Sequence, residues 1–241
     1  MPIDPKDKII VALDVDELER AAELAAALQG HVGAFKIGKQ LFTRCGPEAV
    51  SRIHDRGGRL FLDLKYHDIP TTVAKASREA TRLGVFMFNM HASGGFRMMR
   101  EAAEAASETA AELRVEKPLV LAVTVLTSMG AEDLQRIGFD LEPEALVVRL
   151  ARLAQEAGLD GVVASPREII AVKQACGKGF VVVTPGIRPA SSPPDDQKRT
   201  MTPAEAMEAG ADYIVVGRPI TQAPDPAAAA QAVREEMLTE K

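Results

Sequence analysis

Cysteine is nearly missing from this chain. Cys45 and Cys176 are the only two, and neither stands in a CxxC or other metal-ligand spacing. That excludes a cysteine-built metal site and leaves two free thiols of a reducing cytosol. Long apolar runs are missing too, and no stretch approaches the length of a membrane span. The polar opening MPIDPKDK lacks the apolar centre of a signal peptide. A soluble, cytoplasmic protein is therefore expected. Charge of one sign is also lacking: the net charge is −5, with acids and bases interspersed. Nucleic-acid binders carry a basic face or stripe, so no nucleic-acid partner is expected. A small anionic ligand needs only a local cluster of positive groups and stays possible. No GxGxxG follows the first apolar run, and no spacing of histidines and carboxylates suits zinc.

What the sequence does contain is ordinary globular material, with 46% apolar and 26% charged residues in 241. That length permits one large domain or two small ones, and it can bury most of its surface without staples. Short β-branched runs alternate with helix-like segments from end to end. The strand candidates are KIIVALDV (Lys8 to Val15), AFKIG (Ala34 to Gly38), LFLDLK (Leu60 to Lys65) and VFMFNMHA (Val85 to Ala92). LVLAVTVL (Leu119 to Leu126), GVVASP (Gly161 to Pro166), FVVVTPGI (Phe180 to Ile187) and YIVVGR (Tyr213 to Arg218) complete a set of eight. Near-continuous apolar runs suit strands covered on both faces, as in parallel sheets. Between them lie amphipathic segments with proline early and glycine late, as in PEAVSRIHDRGG and EPEALVVRLARLAQEAG. DELERAAELAAALQG begins with a capping acid and stops at Gly30, and Gly95 to Arg114 also reads as helix.

Strand then helix, eight times without a long linker, predicts a single domain over residues 1–241. A doubly wound open sheet uses the same alternation. Eight units in about 250 residues is the size of a closed (β/α)8 barrel with eight parallel strands, the TIM barrel. The missing dinucleotide motif favours the barrel as well.

In such barrels the active site forms at the C-terminal ends of the strands. The polar residues at those ends are Asp14, Lys36, Asp63 with Lys65, Asn89 or His91, Thr124 or Thr127, Ser165, Arg188, and Gly217 with Arg218. Ions of alternating sign sit on three neighbouring strands. Asp63 and Lys65 are two apart, so regular alternation points both side chains to one face, with Leu64 turned toward the helices. A lone Asp or Lys at a strand end is most simply a solvated charge. An acid and a base facing inward beside Lys36 are not, because buried ions are costly unless they pair. Arg188 and Gly217–Arg218 follow strands seven and eight, where this fold usually binds phosphate. An Arg fork and a glycine that lets backbone N–H groups approach suit that anion. The polar, proline-rich stretch Ala190 to Pro203 lies between the two arginines and reads as a lid, with Gln197 as its best contact. His67, His31 and His54 read as loop or surface residues, and His91 as a core histidine or a site neighbour. Met98 and Met99 read as core filler.

DLKYHDIPTT, residues 63 to 72, resembles the D-x-K-x-x-D-I-P motif of the bacterial orotidine 5′-phosphate decarboxylase family. VALD, FKIGKQLFTRCGP, MHASGG, AVTVLTSMG, LDGVV, VTPGIRP and IVVGRPIT follow in that family's order and spacing. The resemblance runs the length of the chain. It implies decarboxylation of orotidine 5′-monophosphate to uridine 5′-monophosphate, in pyrimidine biosynthesis, without a cofactor or a metal. It implies that Lys36, Asp63 and Lys65 form a charged array, with Lys65 as proton donor. It further implies a homodimer with active sites at the subunit interface, to which Asp68 and Thr72 of the partner contribute, and a substrate contact at Ile69. By the same resemblance, Asp14 is expected to hold the ribose hydroxyls, Thr127 and Ser128 to line the pyrimidine side, and Arg188, Gln197, Gly217 and Arg218 to hold the 5′-phosphate. One departure is visible: Thr71 stands where the family usually has Asn, which touches a local loop contact and not the array.

Two rivals carry other chemistry. A magnesium-dependent sugar-phosphate decarboxylase or aldolase of the same broader group shares the D-x-K-x-x-D core, but such enzymes place a metal-binding Glu where this chain has Lys36. A cation there repels a metal. A non-catalytic binder of phosphorylated nucleotides has no need of so expensive a charge array.

Overall fold

The computed structural model describes residues 4–189 and 200–239. Eight strands run parallel and close on themselves in sequence order, β1 to β8. They are β1 (Ile9–Ala12), β2 (Ala34–Gly38), β3 (Leu60–Tyr66), β4 (Met87–His91), β5 (Leu119–Val123), β6 (Gly161–Val163), β7 (Val181–Thr184) and β8 (Tyr213–Val216). All eight expected strands are present, and most are shorter at their C-terminal ends than the apolar runs suggested. Asp14, expected on the first strand, thus stands in the loop just beyond β1, while Arg188 follows β7 as expected. No helix among the described residues is long and apolar enough to cross a membrane.

Side-chain alternation explains the unbroken apolar runs. Ile9, Val11, Ile37, Leu60, Leu62, Phe88, Val120, Val182 and Ile214 point outward and pack under the helices. Ile10, Ala34, Phe61, Met87, Leu121, Val183 and Val215 point inward and fill the barrel. Both faces are dry, so both are apolar. Burying a ring such as Phe61 contributes about 1.5–3 kcal/mol. Toward the C-terminal ends the inward positions turn polar: Ala34 gives way to Lys36, Phe61 to Asp63 and Met87 to Asn89, two residues further along each strand.

The helices follow their punctuation with one correction. Helix Leu18–Ala27 has Glu17 at its N-cap, but no side chain caps it. Asp16 instead accepts from the amide of Gln40, and Glu17 pairs with Arg44. These acids tie the first helix to its neighbour, and that competes with capping. Helix Phe96–Leu113 matches the expected segment, and PAAAA opens the last helix, Pro226–Glu236, capped by Asp225.

A matched pair of ionic clamps closes the N-terminal end of the barrel. Asp160 accepts from the Val120 N–H at 2.8 Å and from Lys117 Nζ at 2.7 Å. Asp212 accepts from the Val182 N–H at 2.7 Å and from Lys173 Nζ at 2.6 Å. Each carboxylate immediately precedes a strand and satisfies a backbone donor of another. Their place at the end opposite the C-terminal mouth makes them supports of the barrel.

Gly161 opens β6 on the inward face. A Cβ there would lie 2.1 Å from the Val181 carbonyl oxygen, a contact with backbone that no rotamer relieves. Gly161→Ala should therefore destabilise the fold by at least about 1–3 kcal/mol. A thermal melt checks this, and an unchanged Tm would show that β6 and β7 can separate at that point.

Candidate active site

Of these inward polar positions, Lys36 and Asp63 line a cavity at the C-terminal mouth, of about 540 Å³. Asp14, Lys36, Asp63, Lys65, Thr127, Arg188, Gly217 and Arg218 line it, with Phe61, Val123, Val125, Val163 and Val215 as apolar floor and wall. The charged groups at the ends of β1 to β3 and the arginines after β7 and β8 therefore open onto the same space.

Register places the ions in line. Ala12 of β1 pairs with Lys36, and Gly38 of β2 pairs with Asp63. Lys36 Nζ lies 3.1 Å from Asp14 Oδ1 and 3.3 Å from Asp63 Oδ2. Lys65 Nζ lies 2.6 Å from the other oxygen of Asp63. The sequence acid–base–acid–base thus becomes a continuous chain of contacts. Gly38 leaves room for it: a Cβ there would sit 3.2 Å from Asp14 Oδ1 and 3.3 Å from Lys36 Nζ.

Lys36 and Asp63 are almost fully buried, at 8% and 9% exposure. Burial alone would push Asp63 upward, but the Lys36 and Lys65 ammoniums, with hydrogen bonds from Lys65 and Asn89, hold its carboxyl below the ordinary range. Burial likewise works against the charge on Lys36, and the Asp63 and Asp14 carboxylates outweigh it and raise its pKa. Each ion is tolerated because its neighbours are ions of the other sign.

Lys65 does not reach the cavity by regular strand alternation, as its two-residue spacing from Asp63 suggested. The β3–β4 register shifts between Leu62 and Tyr66, and Lys65 takes the left-handed conformation at φ +52°. For a residue with a side chain this costs of order 1–3 kcal/mol, and such strain collects at functional sites. Asn89 compensates within the structure. Its Oδ1 accepts the Lys65 backbone N–H at 2.8 Å, and its Nδ2 donates to Asp63 Oδ1 at 2.7 Å. The sequence marked Asn89 only as one of two polar residues at the end of strand four. The signal for choosing it was its inward parity with Met87, beside Asp63 on the neighbouring strand.

Other candidates fall elsewhere. Asp68 and Ile69 are exposed, and Asp68 Oδ1 accepts its own neighbour's N–H. Asp68, Ile69, Thr72 and Ser128 do not line this chain's own cavity, whereas Thr127 does. Gln197 lies outside the described residues, as does most of the Ala190 to Pro203 stretch; where the chain is described again, Met201 bridges to Ile187 beside Arg188. His91 sits next to His67, with ring centroids 5.4 Å apart. Burial first, then His67 and the Lys39 and Lys65 cations, depress its pKa to about 4. It is uncharged at neutral pH and stands behind the site, not in it. His31 lies in an exposed turn, and His54 is half-buried at a helix end.

Comparison with known proteins agrees with this geometry. The family described as "Orotidine 5'-phosphate decarboxylase / HUMPS family" matches residues 7–233. The chain is 55% identical to the orotidine 5'-phosphate decarboxylase of Syntrophotalea carbinolica, over 98% of this chain and 97% of that one. It is 56% identical to the enzyme of that name from Moorella thermoacetica, over 96% and 92%. Among solved structures, orotidine 5'-phosphate decarboxylase from Lactobacillus acidophilus superposes with a TM-score of 0.85 at 36% identity, covering 96% of this chain and 99% of that one. A (β/α)8 barrel whose mouth holds an alternating Asp–Lys array, and whose sequence matches over nearly its whole length, belongs to the orotidine 5'-phosphate decarboxylase / HUMPS family.

Proposed function

We propose that this protein decarboxylates orotidine 5′-monophosphate to uridine 5′-monophosphate. The observation that carries this reading is the shared cavity: the Asp14–Lys36–Asp63–Lys65 array opens onto the same space as Arg188 and Arg218. A nucleotide monophosphate has its reacting ring and its dianion at opposite ends, and the cavity offers a charged array and a pair of arginines to receive them.

The chemistry follows from the charges. When the bond from C6 of the pyrimidine to the carboxylate breaks, carbon dioxide leaves and the electron pair stays on C6, in the plane of the ring. Lys65 directs its ammonium into the cavity, stabilises that carbanion, and then transfers a proton from Nζ to C6. Fixed charges of this kind need no reorganisation at the moment of reaction. Asp63 holds the ammonium at 2.6 Å and lies beside the departing carboxylate. Lys36 occupies the place between Asp14 and Asp63 that a divalent cation would need. That placement favours this reaction over magnesium-dependent relatives.

The remaining roles belong to the same reading. Asp14 takes the ribose hydroxyls, Thr127 and Ser128 the pyrimidine side, and Arg188, Gln197, Gly217 and Arg218 the 5′-phosphate. Phosphate binding far from C6 supplies energy for assembling the site. Asp68 and Thr72 act across the interface of a homodimer, and Ile69 contacts the substrate beside them. Their absence from this chain's own cavity, and the exposure of Asp68 and Ile69, support that arrangement.

Purified protein should consume orotidine 5′-monophosphate, followed by its loss of absorbance, and keep full activity after exhaustive EDTA treatment. Lys65→Ala should remove turnover by several orders of magnitude without altering the circular dichroism spectrum. Loss of activity with EDTA would point to the magnesium-dependent chemistry, and near-normal turnover by Lys65→Ala would remove Lys65 from its role. The interface has its own test. Lys65→Ala and Asp68→Ala proteins, each inactive alone, should regain activity when mixed and allowed to exchange subunits, because the hybrid carries one site with both residues intact. No recovery after verified exchange would place Asp68 in its own subunit's site or outside any site.

A further inference from the structure

We propose that Asn89 is a positioning residue for this reaction: its amide bonds the Lys65 backbone and the Asp63 carboxylate together, and so aims the Lys65 ammonium at the reacting carbon. The inference rests on the decarboxylase reading above and extends it to a side chain that does not line the cavity.

The argument begins with hydrogen-bond accounting. β3 and β4 pair at Phe61 with Met87 and Leu62 with Phe88, then resume only at Tyr66 with Met90. Residues 63 to 65 lie in that gap, so the Lys65 N–H finds its acceptor in a side chain, the Asn89 Oδ1 at 2.8 Å. A backbone N–H can only donate, which fixes the oxygen of the amide on that side. The nitrogen is thereby turned to Asp63, whose carboxylate can only accept, and it donates at 2.7 Å. The same oxygen of Asp63 receives Lys65 Nζ. One side chain therefore satisfies the N–H of a lysine held at φ +52° and orients the carboxylate that holds that lysine's ammonium. Asn89 itself is fully buried, with 0% exposure, so water cannot replace it. Leu or Asp has nearly its volume, but neither matches its pairing of one acceptor with one donor at neutral pH.

A buried amide could serve the fold alone, and two substitutions separate the cases. Asn89→Leu removes both hydrogen bonds and fills the space. Its kcat should fall about 100-fold, as misplacing a reacting group by an ångström does. Its KM should move by less than about threefold, since no substrate contact is lost. Asn89→Asp has the amide's shape and differs by a proton. When protonated it offers the same acceptor to Lys65 and an O–H to Asp63. When ionised it confronts Asp63 with like charge. Its kcat should therefore rise toward wild type as pH falls, adding a limb that wild type and Asn89→Leu lack. The titratable groups around this pair are Asp63 and Lys65 on β3, Lys36 on β2 and His91 on β4 itself, while β5 presents apolar Leu121 and Val123. Wild-type protein carries all of them unchanged and is the control for their titration. It also tests the decarboxylase reading on its own, for if wild type turns over and the variants behave as wild type, only the role of Asn89 fails. Wild-type kcat per folded molecule in Asn89→Leu, or an Asn89→Asp profile with no added limb, would overturn the proposal and leave Asn89 a structural residue. Should Asn89→Leu not fold, the Asn89→Asp profile decides alone.

Discussion

Asp63 is a carboxylate with almost no access to water, and the rest of the site is arranged around keeping it charged. Lys36 faces one of its oxygens, and Lys65 with Asn89 faces the other. Removing either lysine would leave charge buried without its complement, a far greater penalty than the pair's net worth. The barrel makes the arrangement affordable, because three adjacent strands, β2 to β4, deliver these groups from fixed directions. Loops could not hold so many like and unlike ions at hydrogen-bond distance against their own disorder.

The two ends of the barrel use the same residue types for different ends. At the N-terminal end, Lys117–Asp160 and Lys173–Asp212 complete the backbone bonding of β5 and β7, each carboxylate accepting from a lysine and a backbone N–H of the chain itself. At the C-terminal mouth the array is open on one side, with Lys65 partly exposed to a cavity that also receives two arginines. The difference between the clamps and the array lies in that opening. Strain follows the same division: Lys65 is one of two non-glycine residues with positive φ among the described residues, and it is the one at the mouth.

In the proposed dimer one chain supplies only part of its own site. Lys36, Asp63 and Lys65 are held by the barrel, while Asp68 follows β3 outward on a loop with Ile69, which is 64% exposed. A large exposed apolar residue beside an exposed acid suits a surface that a second copy covers. Coupling the last carboxylate of the array to assembly would join catalytic competence to oligomeric state.

Much of this was legible in the chain. The eight strands followed from near-continuous apolar runs, because strands buried on both faces must be apolar on both, and the closed barrel from their number and the length of the chain. Lys36, Asp63 and Lys65 stood out because ions at such positions have no structural excuse. Arg188 and Arg218 stood out by following the two strands whose loops bind phosphate in this fold. What sequence could not reach was geometry that depends on neighbours distant in the chain. Spacing put Lys65 on a regular strand, yet a register shift and a left-handed backbone place it, and the partner that stabilises them, Asn89, is on another strand. The acids that open the first helix, Asp16 and Glu17, were claimed by Gln40 and Arg44 for the same reason. Periodicity reports which face a residue occupies, since that is a local property of the backbone. Which atom satisfies a given donor is decided only when the barrel closes, because hydrogen bonds are settled by competition among all the groups that closure brings within reach.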